Sequence, residues 1–144
     1  MTKDEYYLGI ALAVAKKSAC LKKQHGAVIV KNDEIVSTGY NGNCRGEPHC
    51  LTCTKVKINK DEAEYLTCKS VHAEMNAIIS ASRNEMLGAT LYLAGYITST
   101  GEENLNVEPC EICLRLIKNA GIDKVVTSNG VIYQRDSQGI LRRN

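Results

Sequence analysis

No phenylalanine and no tryptophan occur among the 144 residues of this chain, so aromatic contact with a ligand must come from its seven tyrosines or three histidines. Nowhere does an apolar run approach the roughly 20 residues needed to cross a bilayer as a helix. The opening residues, Met1-Thr2-Lys3-Asp4-Glu5, are polar and lead into an amphipathic stretch with lysines. They lack the apolar centre of a signal peptide. A large charge of either sign is also missing: 18 basic and 16 acidic residues leave a net +2. With no basic tail, the totals carry no nucleic-acid footprint and no membrane-surface signal. Clusters at Lys16, Lys17, Lys22 and Lys23, and at Arg142 and Arg143, read first as solvated faces. A cytoplasmic location with reduced thiols is the expectation. Cysteine is the exception to this sparseness. Seven of them, an odd number, in a reducing compartment point to metal rather than to a disulfide framework.

The length fits one domain over 1–144, and an apolar fraction of 44% supplies a core. Thr2 and Glu5 form a capping-box pattern before an apolar face of Tyr7, Ile10, Ala11, Val14, Ala15 and Ser18, which predicts a helix to about Cys20. Residues 26–30 and 35–39 read as two strands around the turn at 31–34. Residues 43–69 form a cysteine-rich insertion, with a charged run from Lys55 to Glu64. So long a connection needs something to hold it, since apolar burial does not offset its ordering entropy. Beyond it the spacing predicts a helix from about Val71 to Arg83, a strand over 87–95 and a helix from Pro109 to Ala120. Strands at 122–127 and 131–133 complete the chain. This alternation favours a layered α/β domain.

Two short stretches carry chemistry. Val71-His72-Ala73-Glu74-Met75-Asn76-Ala77-Ile78-Ile79 places a histidine and an acid in the first turn of an apolar helix. Alone, that is most often a surface pair at a helix start. Pro109-Cys110-Glu111-Ile112-Cys113 opens another helix with a CxxC pair. On its own, such a pair serves redox chemistry or half of a structural zinc site equally well. Together, His72, Cys110 and Cys113 supply three N/S ligands for zinc and leave a fourth position open, the mark of a catalytic site. Glu74 is then the acid that stays off the metal. The combination H-x-E and P-C-x-x-C is the signature of zinc nucleobase deaminases.

On these residues the chain resembles the cytidine and deoxycytidylate deaminases, most closely the dCMP deaminases. The likeness extends through Gly26-Ala27-Val28-Ile29-Val30, Ser37-Thr38-Gly39-Tyr40-Asn41-Gly42, Arg45-Gly46, His49-Cys50 and Asn119-Ala120-Gly121-Ile122. The resemblance implies a three-layer α/β/α fold around a mixed five-stranded sheet. It implies hydrolytic deamination, in which zinc-activated water attacks C4 of cytosine and Glu74 protonates N3 and then the leaving amine. The backbone at Ala73 is expected to fix the base, and Asn41 the sugar. Lys22, Lys23 and Arg45 stand where the family places basic residues for the 5′-phosphate, although several relatives carry arginine where lysine stands here. A homo-oligomer, commonly a hexamer, is also implied, often controlled by dCTP and dTTP. The chain ends soon after its last predicted strand, which weighs against that control.

Some dCMP deaminases hold a second, structural zinc, and Cys20 and Cys50 fall at places matching it; Cys53, which completes a CxxC with Cys50, and Cys68, just before the catalytic helix, would complete a four-thiolate set. Cys44 is left over, with His49 as an alternative donor. Such a closed four-thiolate site would answer the entropy of the insertion. Other readings are a deaminase of another cytosine nucleotide, of a nucleoside or of another nucleobase. A zinc-stabilised module without catalysis would need neither Glu74 nor an open coordination position.

Overall fold

The computed structural model describes residues 1–53 and 67–144; the charged part of the insertion, Lys55 to Glu64, lies outside them. Helix α1 spans Lys3–Ala15 and begins on the predicted capping box: Thr2 Oγ accepts the Glu5 N–H at 3.1 Å while Glu5 returns a bond to the Thr2 N–H at 3.2 Å. Strands β1 (Lys23–Lys31) and β2 (Glu34–Tyr40) form a hairpin. Asn32 and Asp33 turn it with φ of 53° and 61°, the paired left-handed conformations of a two-residue hairpin loop. Helices α2 (Ala73–Ile79) and α3 (Arg83–Met86), strand β3 (Thr90–Ile97), helix α4 (Glu111–Ala120), and strands β4 (Lys124–Thr127), β5 (Ile132–Arg135) and β6 (Leu141–Arg143) follow.

The six strands form one mixed sheet in the order β2-β1-β3-β4-β5-β6. Only β3 and β4 run parallel; the other neighbours are antiparallel. Alternation along the strands sorts the core into two layers. Val28, Val30, Tyr92, Ala94 and Val126 meet Tyr7 and Ala11 of α1. Ala27, Ile29, Leu91, Leu93 and Val125 face the other way, onto Ala73 and Ala77 of α2 and Ile117 of α4. The three-layer α/β/α expectation holds. Two glycines set how closely the layers approach. A Cβ on Gly39 would collide with backbone atoms of Ala73 and Ala77, and one on Gly26 with those of Ala11 and Ala15. Gly39 thus lets α2 rest on the β2 backbone.

Three expectations change. The sheet has six strands rather than five, because Leu141–Arg143 returns beside β5 after a turn in which Asp136 Oδ1 accepts the N–H groups of Gln138 and Ile140. Helix α1 stops at Ala15 rather than near Cys20. Ser18 leaves the helical path to donate to the Asn41 carbonyl at 2.8 Å and accept the Cys20 N–H at 3.2 Å. The helix predicted from Val71 to Arg83 breaks at Ser80, and Ser82 with Glu85 caps the separate turn α3.

Candidate functional site

Residue 72 is held from both sides. Gly42 and Val71 exchange backbone hydrogen bonds of 3.1 and 2.7 Å, tying the end of β2 to the residue before His72. On the other side, α2 begins at Ala73, and Asn76 Nδ2 donates to the Tyr40 carbonyl at 2.8 Å. Across the layer, Cys110 is the N-cap of α4: its sulfur accepts the Cys113 N–H at 3.4 Å and its carbonyl accepts the Leu114 N–H at 2.9 Å. Leu114 and Ile117 carry α4 into the same core as α2, so the two helix starts are brought together by apolar packing.

At that meeting point His72 Nδ1 lies 3.4 Å from Cys110 Sγ and 3.3 Å from Cys113 Sγ. All three donor atoms fall within 4.8 Å of one another. With Zn–S near 2.3 Å and Zn–N near 2.0 Å, tetrahedral angles separate a nitrogen and a sulfur ligand by about 3.5 Å. The observed separations match that spacing, and one imidazole with two thiols is a donor set suited to zinc.

Glu74 belongs to the first turn of α2 and is only 3% exposed. Burial, first among the causes, pushes its carboxyl above the usual range. It faces the Cys113 thiol, which is itself raised by its hydrogen bond with Cys110 and by burial. Glu74 is not one of the three converging donors.

The other sequence candidates fall in three places. Ala73, the first residue of α2, is fully buried. Asn41, 8% exposed, has its side chain engaged by β1: Oδ1 accepts the His25 N–H at 2.8 Å and Nδ2 donates to the Lys23 carbonyl at 2.8 Å. One amide hydrogen and one acceptor lone pair are left for a ligand. Lys22, Lys23 and Arg45 are exposed. Cys20, Cys50, Cys53 and Cys68 all line one cavity of about 40 Å³, with His49 beside them. Cys44 is exposed and does not line it. Among the described residues, the four cysteines are not drawn to ligand spacing; only His72, Cys110 and Cys113 are.

Two residues at the site escaped the sequence reading. Ser18 was placed only on an apolar face; its polarity at a buried position was the signal for the bonds that hold Asn41 and Cys20. Glu108 stands in the polar linker just before Pro109. Its carboxylate is held by Tyr133 and Arg143, and no local pattern pairs a loop acid with the last strand.

Residues 1–129 match the family model for the cytidine and deoxycytidylate deaminase zinc-binding region. The deoxycytidylate deaminase of Mycobacterium phage D29 is 40% identical over 129 residues, which cover 85% of this chain and 91% of the phage protein. That of Saccharomyces cerevisiae is 31% identical over 141 residues, covering 96% of this chain and 41% of the yeast protein. Among solved structures, the apo dCMP deaminase of cyanophage S-TIM5 superposes with a TM-score of 0.63 at 25% identity, over 86% of this chain and 80% of that one. The same enzyme in complex with dCMP and dUMP gives 0.60 at 26%, over 85% and 78%. The zinc-suited donor set lies within the matched residues, and the fold around it is shared with a deaminase of the same class: the chain belongs to the cytidine and deoxycytidylate deaminase family.

Proposed function

We propose that this chain is a zinc-dependent hydrolase that converts dCMP and water to dUMP and ammonia. The observation that carries the reading is the convergence of His72, Cys110 and Cys113 beside a buried acid that is not one of the donors. The substrate follows from the relatives, deoxycytidylate deaminases up to 40% identical, and from the S-TIM5 enzyme seen with dCMP and dUMP.

His72, Cys110 and Cys113 hold the metal. Bound there, zinc supplies Lewis-acid activation of water at neutral pH. Glu74 does the proton work: its carboxylate takes one proton from the attacking water and delivers it to N3 of the cytosine ring, then takes the second from the new C4 hydroxyl and delivers it to the amine, which leaves as ammonia as the C4 carbonyl forms. Its burial keeps bulk water from competing for those transfers. The backbone at Ala73 lies against the base. Asn41, aimed by its two bonds to β1, offers its remaining amide hydrogen and lone pair to the sugar. Lys22, Lys23 and Arg45 face the 5′-phosphate from the surface.

A second, structural zinc occupies the cavity lined by Cys20, Cys50, Cys53 and Cys68. Four thiol-bearing residues around a space that exceeds the roughly 15 Å³ needed for one water fit a closed site. Residues 1–144 act as one deaminase domain. The chain works as a homo-oligomer, in which exposed Ile79 and Leu105, at 74% and 69%, are covered.

Ammonia release measured side by side for dCMP, CMP, deoxycytidine, dCTP and guanine tests the substrate. dCMP is expected to give the highest kcat/KM; a better rate with any of the others overturns the assignment. Metal analysis tests the second site: about two zinc ions per chain are expected, and about one overturns it.

A further inference from the structure

The last strand, β6, contributes only three residues to the sheet, yet one of them reaches the segment that leads into the metal-ligand helix. Tyr133 on β5 and Arg143 on β6 stand directly opposite each other in the antiparallel ladder, so their side chains share a face. Both close on Glu108. Tyr133 donates its hydroxyl to Glu108 Oε1 at 2.9 Å, and Arg143 donates Nε to Oε1 at 2.8 Å and Nη2 to Oε2 at 3.1 Å. The arginine contact is a two-point fork, which fixes direction as well as distance.

Glu108 is two residues before Cys110, and the residue between is Pro109. Proline has a fixed φ, and Pro109 is buried. A carboxylate anchored on one side of it therefore limits the positions open to the cysteine on the other. Cys113, by contrast, is held by burial inside α4 and by its N–H bond to the Cys110 sulfur.

We propose that Arg143, Tyr133 and Glu108 form a clamp that positions Cys110 for metal binding, so that the C-terminal strand sets how firmly zinc is retained. The proposal rests on the reading that His72, Cys110 and Cys113 hold zinc. Arg143 and Tyr133 are positioning residues: their effect on the metal runs through Glu108 and the Pro109 backbone. Arg142, the preceding residue on β6, pairs instead with Asp136, and so provides a control for loss of strand stability alone.

The experiment measures the rate at which zinc is lost to a chelator from purified full-length protein, with melting temperature recorded in parallel. It compares wild type, Arg143→Ala, Arg143→Lys, Tyr133→Phe and Arg142→Ala. Arg143→Ala is expected to speed zinc loss by up to about 10-fold, the low end of the cost of removing a partner that orients a metal ligand, because the ion pair is substantially exposed and acts through the intervening proline. Lysine should restore part of it, through charge without the fork, and Arg142→Ala should match wild type. The cobalt-substituted Tyr133→Phe protein, which loses one hydroxyl only, should show altered thiolate bands; it serves as the probe if Arg143→Ala does not fold. Equal zinc loss from Arg143→Ala and Arg142→Ala, or unchanged Tyr133→Phe bands, overturns the clamp. Wild-type protein that takes up no zinc through His72, Cys110 and Cys113 overturns the reading beneath it instead.

Discussion

Two groups of side chains proposed to hold metal in this molecule are built in opposite ways. His72, Cys110 and Cys113 sit at the starts of α2 and α4, and the core beneath those helices brings their donor atoms to ligand spacing. Cys20, Cys50, Cys53 and Cys68 share a cavity but come largely from loops, and Cys50 and Cys53 are exposed. The first group is preorganised by apolar packing, which has already overcome the entropy of assembling it. The second has its members in one place and leaves the last approach to the ligand. A metal at the first site should therefore serve chemistry at little structural cost, while a metal at the second should contribute mainly to stability.

Four variants break or sharpen that contrast. Cys113→Ala has the largest expected effect: it removes a fully buried ligand and should abolish both zinc at that site and turnover, read by metal analysis and ammonia release. Glu74→Gln should lower kcat by about 10²- to 10⁴-fold, the usual worth of a positioned proton carrier, with zinc content unchanged. If zinc is lost as well, Glu74 belongs to the ligand set and its separate role is wrong. The paired change Cys50→Ser and Cys53→Ser should do the reverse. It should remove one zinc and about 4 kcal/mol of stability at zinc a thousandfold above Kd, and leave kcat near wild type at low temperature. A denaturant titration and an initial-rate assay separate the two effects. Gly39→Ala should give the smallest change, a loss of about 1–3 kcal/mol as the new methyl pushes α2 off β2. Its signature in the same titration is a lower midpoint with an unchanged slope.

The catalytic group was legible in the sequence because its spacing is local within each half. H-x-E and P-C-x-x-C each open a helix, and both helices start where the sequence pattern places their first turns. Asn41 was legible as a residue near the site, but its bonds to the backbone of His25 and Lys23 were not, because they join positions brought together only by strand pairing. Strand β6 was missed because three residues are too few to display alternation. The break between α2 and α3 had a local signal, Ser82 three residues before Glu85, that the continuing apolar pattern concealed. Ser18 fits the apolar face predicted for α1, but its hydroxyl bonds Asn41 and Cys20 instead, a competition between side chain and helix that periodicity does not register.

The two hydrogen bonds between Gly42 and Val71 bear on how freely this chain can vary in length. They make the excursion over 43–70 start and finish at a single point of the fold, as a stem closes a loop. Residues inside such a loop can be added or removed without changing the distance between its ends, and doubling its length costs only about 0.6 kcal/mol in closure entropy. His72, immediately after the stem, is thereby insulated from the size of what precedes it. The cysteine-bearing segment can therefore change in length and content while His72 stays where it is.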